Sequence, residues 1–282
     1  FLQMYEGQSG DYPYRIQLQE VANRERKVVK VLLDDIIDHK NDTEFVSNIQ
    51  RNTVRYIRLF EAAIDTLLPQ PTEEFERDVY DILNGQHSAQ QQQQQQQPGS
   101  DENLDPQAVE TMPAEFVRRF EVSIVPESLS KVKKLREVRA VDVGHLVKVT
   151  GMVTRCTEVK PQMKVCVFTC DYCGSEMFMS VKGDKFMPLQ ECASLQCKEN
   201  KTSGKVHMQS RGSKFSKFQE VRIQELPDQV PVGHIPRCMT IRCTGENTRQ
   251  CGPGDMVTMS GIFLADRKVS WGSARRGNML TY

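Results

Sequence analysis

Two cysteine pairs carry the most specific chemistry in this 282-residue sequence. Cys170 and Cys173 form a Cys-x-x-Cys turn closed by Gly174, and Cys192 and Cys197 follow after an interval of eighteen residues. Short-spaced pairs on two tight turns can bring four thiolates to the corners of a tetrahedron around one Zn²⁺. Glycine after the first pair lets the backbone fold back so that its amides face the sulfurs. Residues 177–181, Met-Phe-Met-Ser-Val, have strand composition, so the unit reads as a zinc ribbon. With four protein ligands the site is closed, which makes it structural and not catalytic. A redox Cys-x-x-Cys needs one pair at a helix start, and the second pair argues against it. His207 and His234 are then ordinary strand or surface residues, because four thiolates already complete the set.

The elements that must position this unit sit in a chain of uneven charge. Hydrophobic residues make up 38% and charged residues 26%, and no apolar run approaches the roughly 18 residues that span a bilayer. No membrane partner is expected. The start, Phe1-Leu-Gln-Met-Tyr, lacks the basic region of a signal peptide and reads as the interior of a longer protein. The remaining cysteines, Cys156, Cys166, Cys238, Cys243 and Cys251, are therefore expected to be reduced thiols. The formal net charge is zero, but residues 1–112 hold 10 Lys and Arg against 20 Asp and Glu, while residues 113–282 hold 27 against 17. Such asymmetry suggests separate domains with different partners, the basic half being the one suited to nucleic acid.

Residues 1–84 read as a helical domain. Tyr14, Leu18 and Val21 share a face. Residues 28–33 are a short apolar run, either a strand or a buried helical turn. Asn41 with Glu44 has the form of a helix N-cap and its reciprocal partner. Phe45, Ile49, Tyr56, Phe60, Ala63 and Leu67 make one amphipathic stripe ended by Pro69 and Pro71, and Phe75, Val79 and Leu83 make a shorter one stopped at Gly85. These aromatic stripes are expected to be core. Residues 85–112, with an uninterrupted glutamine tract at 90–97, bury too little apolar surface to order and form a linker. In the second domain, 113–282, the period changes to two from Phe116: short strands at 119–125, 145–155, 164–169, 205–209, 218–224, 238–243 and 255–263 are parted by Gly and Pro turns. This pattern fits a small five-stranded oligonucleotide-binding (OB) barrel, with Gly151 marking a bulge or coil and the zinc ribbon inserted at about 165–208.

Thr150-Gly-Met-Val-Thr-Arg155 with Val159-Lys-Pro161 resembles the minichromosome maintenance (MCM) replicative helicases. Phe168-Thr-Cys, Phe186-Met-Pro-Leu189, Lys217-Phe-Gln-Glu220, Asp228-Gln-Val-Pro-Val-Gly-His-Ile-Pro-Arg237 and Pro253-Gly-Asp255 extend the likeness over about residues 14–264 and narrow it to one subunit of the eukaryotic hexamer. The resemblance implies a multidomain α + β protein: an N-terminal helical domain, then an OB-fold β-barrel carrying an inserted zinc ribbon. It also implies membership of a hetero-hexameric ring with other MCM subunits, contact with single- and double-stranded DNA, and a nuclear location. By position, Arg155 and Lys160 match the family's single-strand-binding arginine and lysine, and Lys217 matches a third basic position more weakly. Each could equally be a solvated surface charge. Leu226, Gln229, Val230, Pro231, Val232, Gly233 and Pro236 match a loop that couples the family's collar to its ATPase ring. ATP and Mg²⁺ belong to the family's C-terminal domain; the phosphate-binding Gly-x-x-x-x-Gly-Lys-Ser/Thr does not occur in this sequence. Gly261-Ile-Phe-Leu264 is present, but residues 265–282 lack the alternation of a closing strand and are expected to be poorly ordered.

Two rival functions follow from the same residues. A zinc-ribbon and OB adaptor that binds only proteins would use the barrel face as a contact surface. A dithiol enzyme would use Cys170 and Cys173 directly, against the metal spacing.

Overall fold

The computed structural model describes residues 1–7, 11–40, 42–72, 112–181, 186–192, 194, 197 and 204–265. The expected helix of Phe75, Val79 and Leu83, the glutamine tract with nearly all of its linker, and the tail 266–282 lie outside the described residues, as does Asn41.

Helix α1 spans Pro13–Ala22. Proline suits its first turn, where the N–H would be unpaired anyway. Tyr14, Leu18 and Val21 are buried on one face, as their spacing requires. The buried Tyr14 hydroxyl donates to Asp35 Oδ2 at 2.7 Å and accepts from the Leu32 amide at 3.1 Å. Residues 28–33 resolve as strand β1 (Val28–Leu32) leading directly into helix α2 (Leu33–Lys40). Helix α3 (Thr43–Arg51) is capped by Asp42, whose carboxylate accepts from the Phe45 amide at 2.9 Å; the cap thus falls one residue beyond the expected Asn41. The long amphipathic stripe is divided into α3 and α4 (Thr53–Leu67), because Asn52 takes φ −134° and ψ 55° and ends one helix while opening the next. Thr53, buried at that corner, donates to the Ile49 carbonyl at 3.0 Å. Phe45 and Tyr56 meet edge to face across it at 5.7 Å.

Strand β2 (Glu121–Val125), expected in the barrel, instead pairs in parallel with β1, Val28 opposite Glu121 through Leu32 opposite Val125. Phe120, Val122 and Ile124 therefore complete the core of the helical unit with Val29, Val31, Ile36, Ile49 and Ile64. The short helix α5 (Ala114–Val117) precedes β2, and Arg118 after it clamps α4 through Glu61 at 2.7 Å and Asp65 at 2.5 Å.

The second half is an antiparallel sheet. Strands β3 (Leu146–Cys156) and β4 (Lys160–Cys170) run in the same direction along one long strand, β7 (Lys214–Gln224), Cys156 facing Val221 and Lys160 facing Phe218. They behave as one bent strand with an extra residue at the bend, which the Thr157 hydroxyl stitches by accepting from the Glu220 amide at 3.0 Å. β9 (Met256–Ile262) covers the other edge of β3, and β8 (Cys238–Thr244) covers β7. Val147, Val149, Val153, Val221, Ile223 and Leu135 fill the inner face. Gly151 does not itself bulge; a Cβ there would stand 2.9 Å from the Gln224 carbonyl, so glycine permits close strand approach, and the register shift falls between Val153 and Arg155. β5 (Glu176–Ser180) and β6 (Val206–Met208) pair with the far end of β4 and carry the cysteine unit. Among the described residues no helix is long and apolar enough to cross a membrane.

Candidate metal centre and nucleic-acid face

Cys170 ends β4, and Cys173 follows on a turn closed by Gly174 at φ +68°, whose amide bonds the Cys170 carbonyl at 2.9 Å. Cys192 and Cys197 arrive from the other side. The four Sγ atoms lie within 4.8 Å of one another, with Cys170 to Cys197 at 3.9 Å and Cys173 to Cys192 at 3.6 Å. Disulfide sulfurs would stand at about 2.05 Å, so these are four thiols, and the set can hold a metal ion. Three of the four are buried. Hydrogen bonds from the Ser175 and Ser194 hydroxyls bring the Cys173 thiol down to about 5, whereas burial pushes Cys197 up to about 11. Left to themselves, the four would not all be thiolates at neutral pH; a bound cation would supply the missing compensation.

Gly204 is the residue here that spacing did not reveal. A Cβ at 204 would stand 2.6 Å from Cys170 Sγ and 3.3 Å from Cys197 Sγ. No real Cβ approaches a sulfur so closely, so the ligand cradle exists only with glycine there. Gly204→Ala is expected to lower metal affinity roughly tenfold or more, as changes just outside a ligand shell do. Competition with a chromogenic chelator would measure it, and an unchanged affinity would show that the cradle yields freely. His207 pairs with Asp171 at the surface, 2.8 Å away, and is not a ligand.

The second constellation is a face of the sheet. Directly opposed residues of an antiparallel pair share a face, and alternate residues return to it. Arg155 opposes Arg222, Lys160 opposes Phe218, and Glu220 opposes Arg242. Arg155, Lys160 and Arg222 are thus exposed on one face, with half-buried Phe218 among them. Lys217 opposes Pro161, one residue out of phase with Phe218, so the register turns it to the other face. Two arginines directly opposed repel, and an anion between them removes that cost. Arg222 is a residue the sequence alone did not single out; only the register places it beside Arg155.

The loop 226–236 projects beyond this sheet on a pinned neck. Glu225 is fully buried at its base, bonded to Arg136 at 2.5 and 2.8 Å; its amide donates to the Arg237 carbonyl at 2.9 Å, and its carboxylate accepts from the Arg237 amide at 3.3 Å. At the tip Gly233 adopts φ +81°, and Val232 and Ile235 are almost completely exposed, while Leu226, Gln229, Val230 and Pro236 are half-buried nearer the neck and Pro231 is exposed. The Arg136 guanidinium holds the Glu225 carboxyl below its ordinary range. That stabilisation is present above the unfolded carboxylate range and is lost as pH falls through the folded one. Glu225→Gln is expected to lower amide protection across 226–236 at neutral pH and to abolish the further loss of protection that the parent shows as acid protonates the carboxylate. Identical exchange in both proteins would remove Glu225 from the neck.

Comparison with known proteins follows the same division. A family model described as the MCM N-terminal domain matches residues 1–125, and one described as the MCM OB domain matches residues 134–267. The DNA replication licensing factor MCM7 of Oryza sativa subsp. indica is 46% identical over 268 residues, which is 94% of this chain and 36% of that protein. That of Arabidopsis thaliana is 41% identical over 278 residues, 98% of this chain and 38% of that protein. The DNA replication licensing factor MCM6 of Arabidopsis thaliana is 32% identical over 143 residues, 51% of this chain and 17% of that protein. The chain spans roughly a third of the length of the MCM7 relatives it matches.

Proposed function

The chain belongs to the minichromosome maintenance family, and from that premise we propose that it is the N-terminal DNA-binding and ring-assembly portion of a replicative MCM helicase subunit. In this reading it acts in the nucleus, in replication initiation and fork unwinding. It sits in a hetero-hexameric ring with other MCM subunits around single- and double-stranded DNA. ATP and Mg²⁺ are used by other parts of such a subunit, and this chain by itself is expected not to turn over nucleotide.

The observation that carries the DNA reading is the exposed face of Arg155, Lys160 and Arg222. Backbone phosphates of a single strand would seat between the opposed arginines and on the lysine, without sequence preference. Phe218, on the same face, offers a ring against which a base can stack. Lys217 is left out of this contact by its phase. The loop 226–236, with its apolar tip on a rigid neck, is suited to carry coupling to another domain or subunit.

Zinc fits the cysteine cradle. Zn–S bonds of about 2.3 Å at tetrahedral angles put sulfurs about 3.8 Å apart, close to the 3.6 and 3.9 Å between the paired ligands. Cys170, Cys173, Cys192 and Cys197 would hold it, and when bound it supplies a crosslink in place of a core. The reading is then an OB barrel with a zinc ribbon inserted between β4 and β7. Ultraviolet crosslinking to a thymine oligonucleotide followed by peptide mapping tests the interface. Adducts are expected within 152–160 and 218–224, and adducts confined to the helical unit would overturn the assignment.

A further inference from the structure

Away from the cysteine unit and the DNA face, a cavity of about 330 Å³ opens where the helical unit meets the start of β3. Its walls come from α3, the connection after β2, the turn before β3, and β3 itself. Arg51, Lys131, Lys133, His145 and Lys148 line it, and the one carboxylate among its lining residues is Asp142. That carboxylate is already committed. It accepts from Lys133 Nζ at 2.6 Å and from the Arg139 amide at 3.0 Å, and the Lys133 ammonium holds it below the usual carboxylate range. The ion pair fixes Lys133 in the wall, so among the described lining residues no second carboxylate stands against Arg51, Lys131 and Lys148. Ser47 of α3 and Ser130 of the connection after β2 also line the cavity. Like charges gathered in a concave site with low-dielectric walls raise the local potential and concentrate counter-anions.

We infer that this cavity is a binding site for a small phosphate-class oxyanion, with room for a pyrophosphate or the polyphosphate end of a nucleotide. The chemistry is that of charge-assisted hydrogen bonds: a guanidinium fork and two ammonium groups converge from both domains on one anion. Because Arg51 belongs to α3 and Lys148 to β3, an anion bridging them ties the helical unit to the sheet. The site is separate from the DNA face. Lys148 and Arg155 lie at opposite ends of β3, about 23 Å apart at the usual rise per residue. The inference does not rest on the proposed function.

Calorimetric titration of sodium pyrophosphate into the intact, zinc-loaded chain, against sodium chloride at equal ionic strength, tests it. One saturable equivalent is expected, together with a raised melting temperature. Arg51→Gln combined with Lys148→Gln is expected to weaken that binding at least tenfold, and Lys131→Gln, on an exposed turn, to weaken it severalfold should the double variant fold poorly. A variant lacking Arg155 and Lys160 should bind pyrophosphate as the parent does, which separates this site from the DNA face. No binding beyond the chloride control, an unchanged affinity in Lys131→Gln, or displacement of pyrophosphate by a short oligonucleotide would each overturn the inference.

Discussion

Replacing Cys192 by Ser is expected to release the zinc and to unfold the region from about 165 to 208 while the helical unit stays folded. The ribbon has little else to hold it. Its buried cluster is Cys166, Phe168, Met177 and Val181 around the ligands themselves. Structural zinc binding contributes on the order of 10 kcal/mol or more of folding free energy, comparable with the whole stability of an ordinary domain. Losing one of four thiolates removes most of that. Cys166, buried four residues upstream of Cys170, is a control: it lies outside the four-sulfur set, and Cys166→Ala should keep its metal. Metal analysis and amide exchange read both effects. A full equivalent of zinc in Cys192→Ser, or loss of zinc in Cys166→Ala, would assign the ligands wrongly.

The second large effect is expected on the DNA face. Each lost phosphate contact lowers the salt slope of single-strand binding by about 0.7. Neutralising Arg155, Lys160 and Arg222 together should therefore flatten it by about 2 and weaken low-salt binding by roughly a hundredfold, at about 1 kcal/mol per contact. Lys217→Gln should leave the slope where it was, because its phase turns it away. A Lys217 effect as large as that of Lys160 would mean that the strand's register, and not only a side chain, had been misjudged.

These contrasts also mark what the sequence could carry. The four-cysteine cluster was legible because its chemistry is local: two pairs, each within six residues, declare themselves without knowledge of the fold. Gly204 was not, since its requirement arises only when the fold brings that segment so close that a Cβ there would stand 2.6 Å from a sulfur. The core stripe of α1 was visible as a period, but the break at Asn52 was not, because the apolar spacing continues across a corner that backbone dihedrals make. Parallel pairing of β1 with β2 joins segments more than 90 residues apart, and an alternating strand says nothing of which sheet it enters. The basic face divides in the same way. Arg155 and Lys160 were singled out by resemblance, whereas Arg222 joins them on that face and Lys217 leaves it through a one-residue phase that only the register fixes.

On the proposed function, this portion of an MCM subunit grips DNA through phosphates and is not an adaptor for proteins alone. Fluorescence anisotropy of a labelled single strand, titrated with the zinc-loaded chain at about 50 and 200 mM salt, tests it most directly. The expected result is weak, sequence-independent binding that falls roughly fifteenfold between the two salts, with a slope near −2 for three phosphate contacts. Binding absent at both salts, or present with no salt dependence, would contradict the claim and return the face to a protein partner.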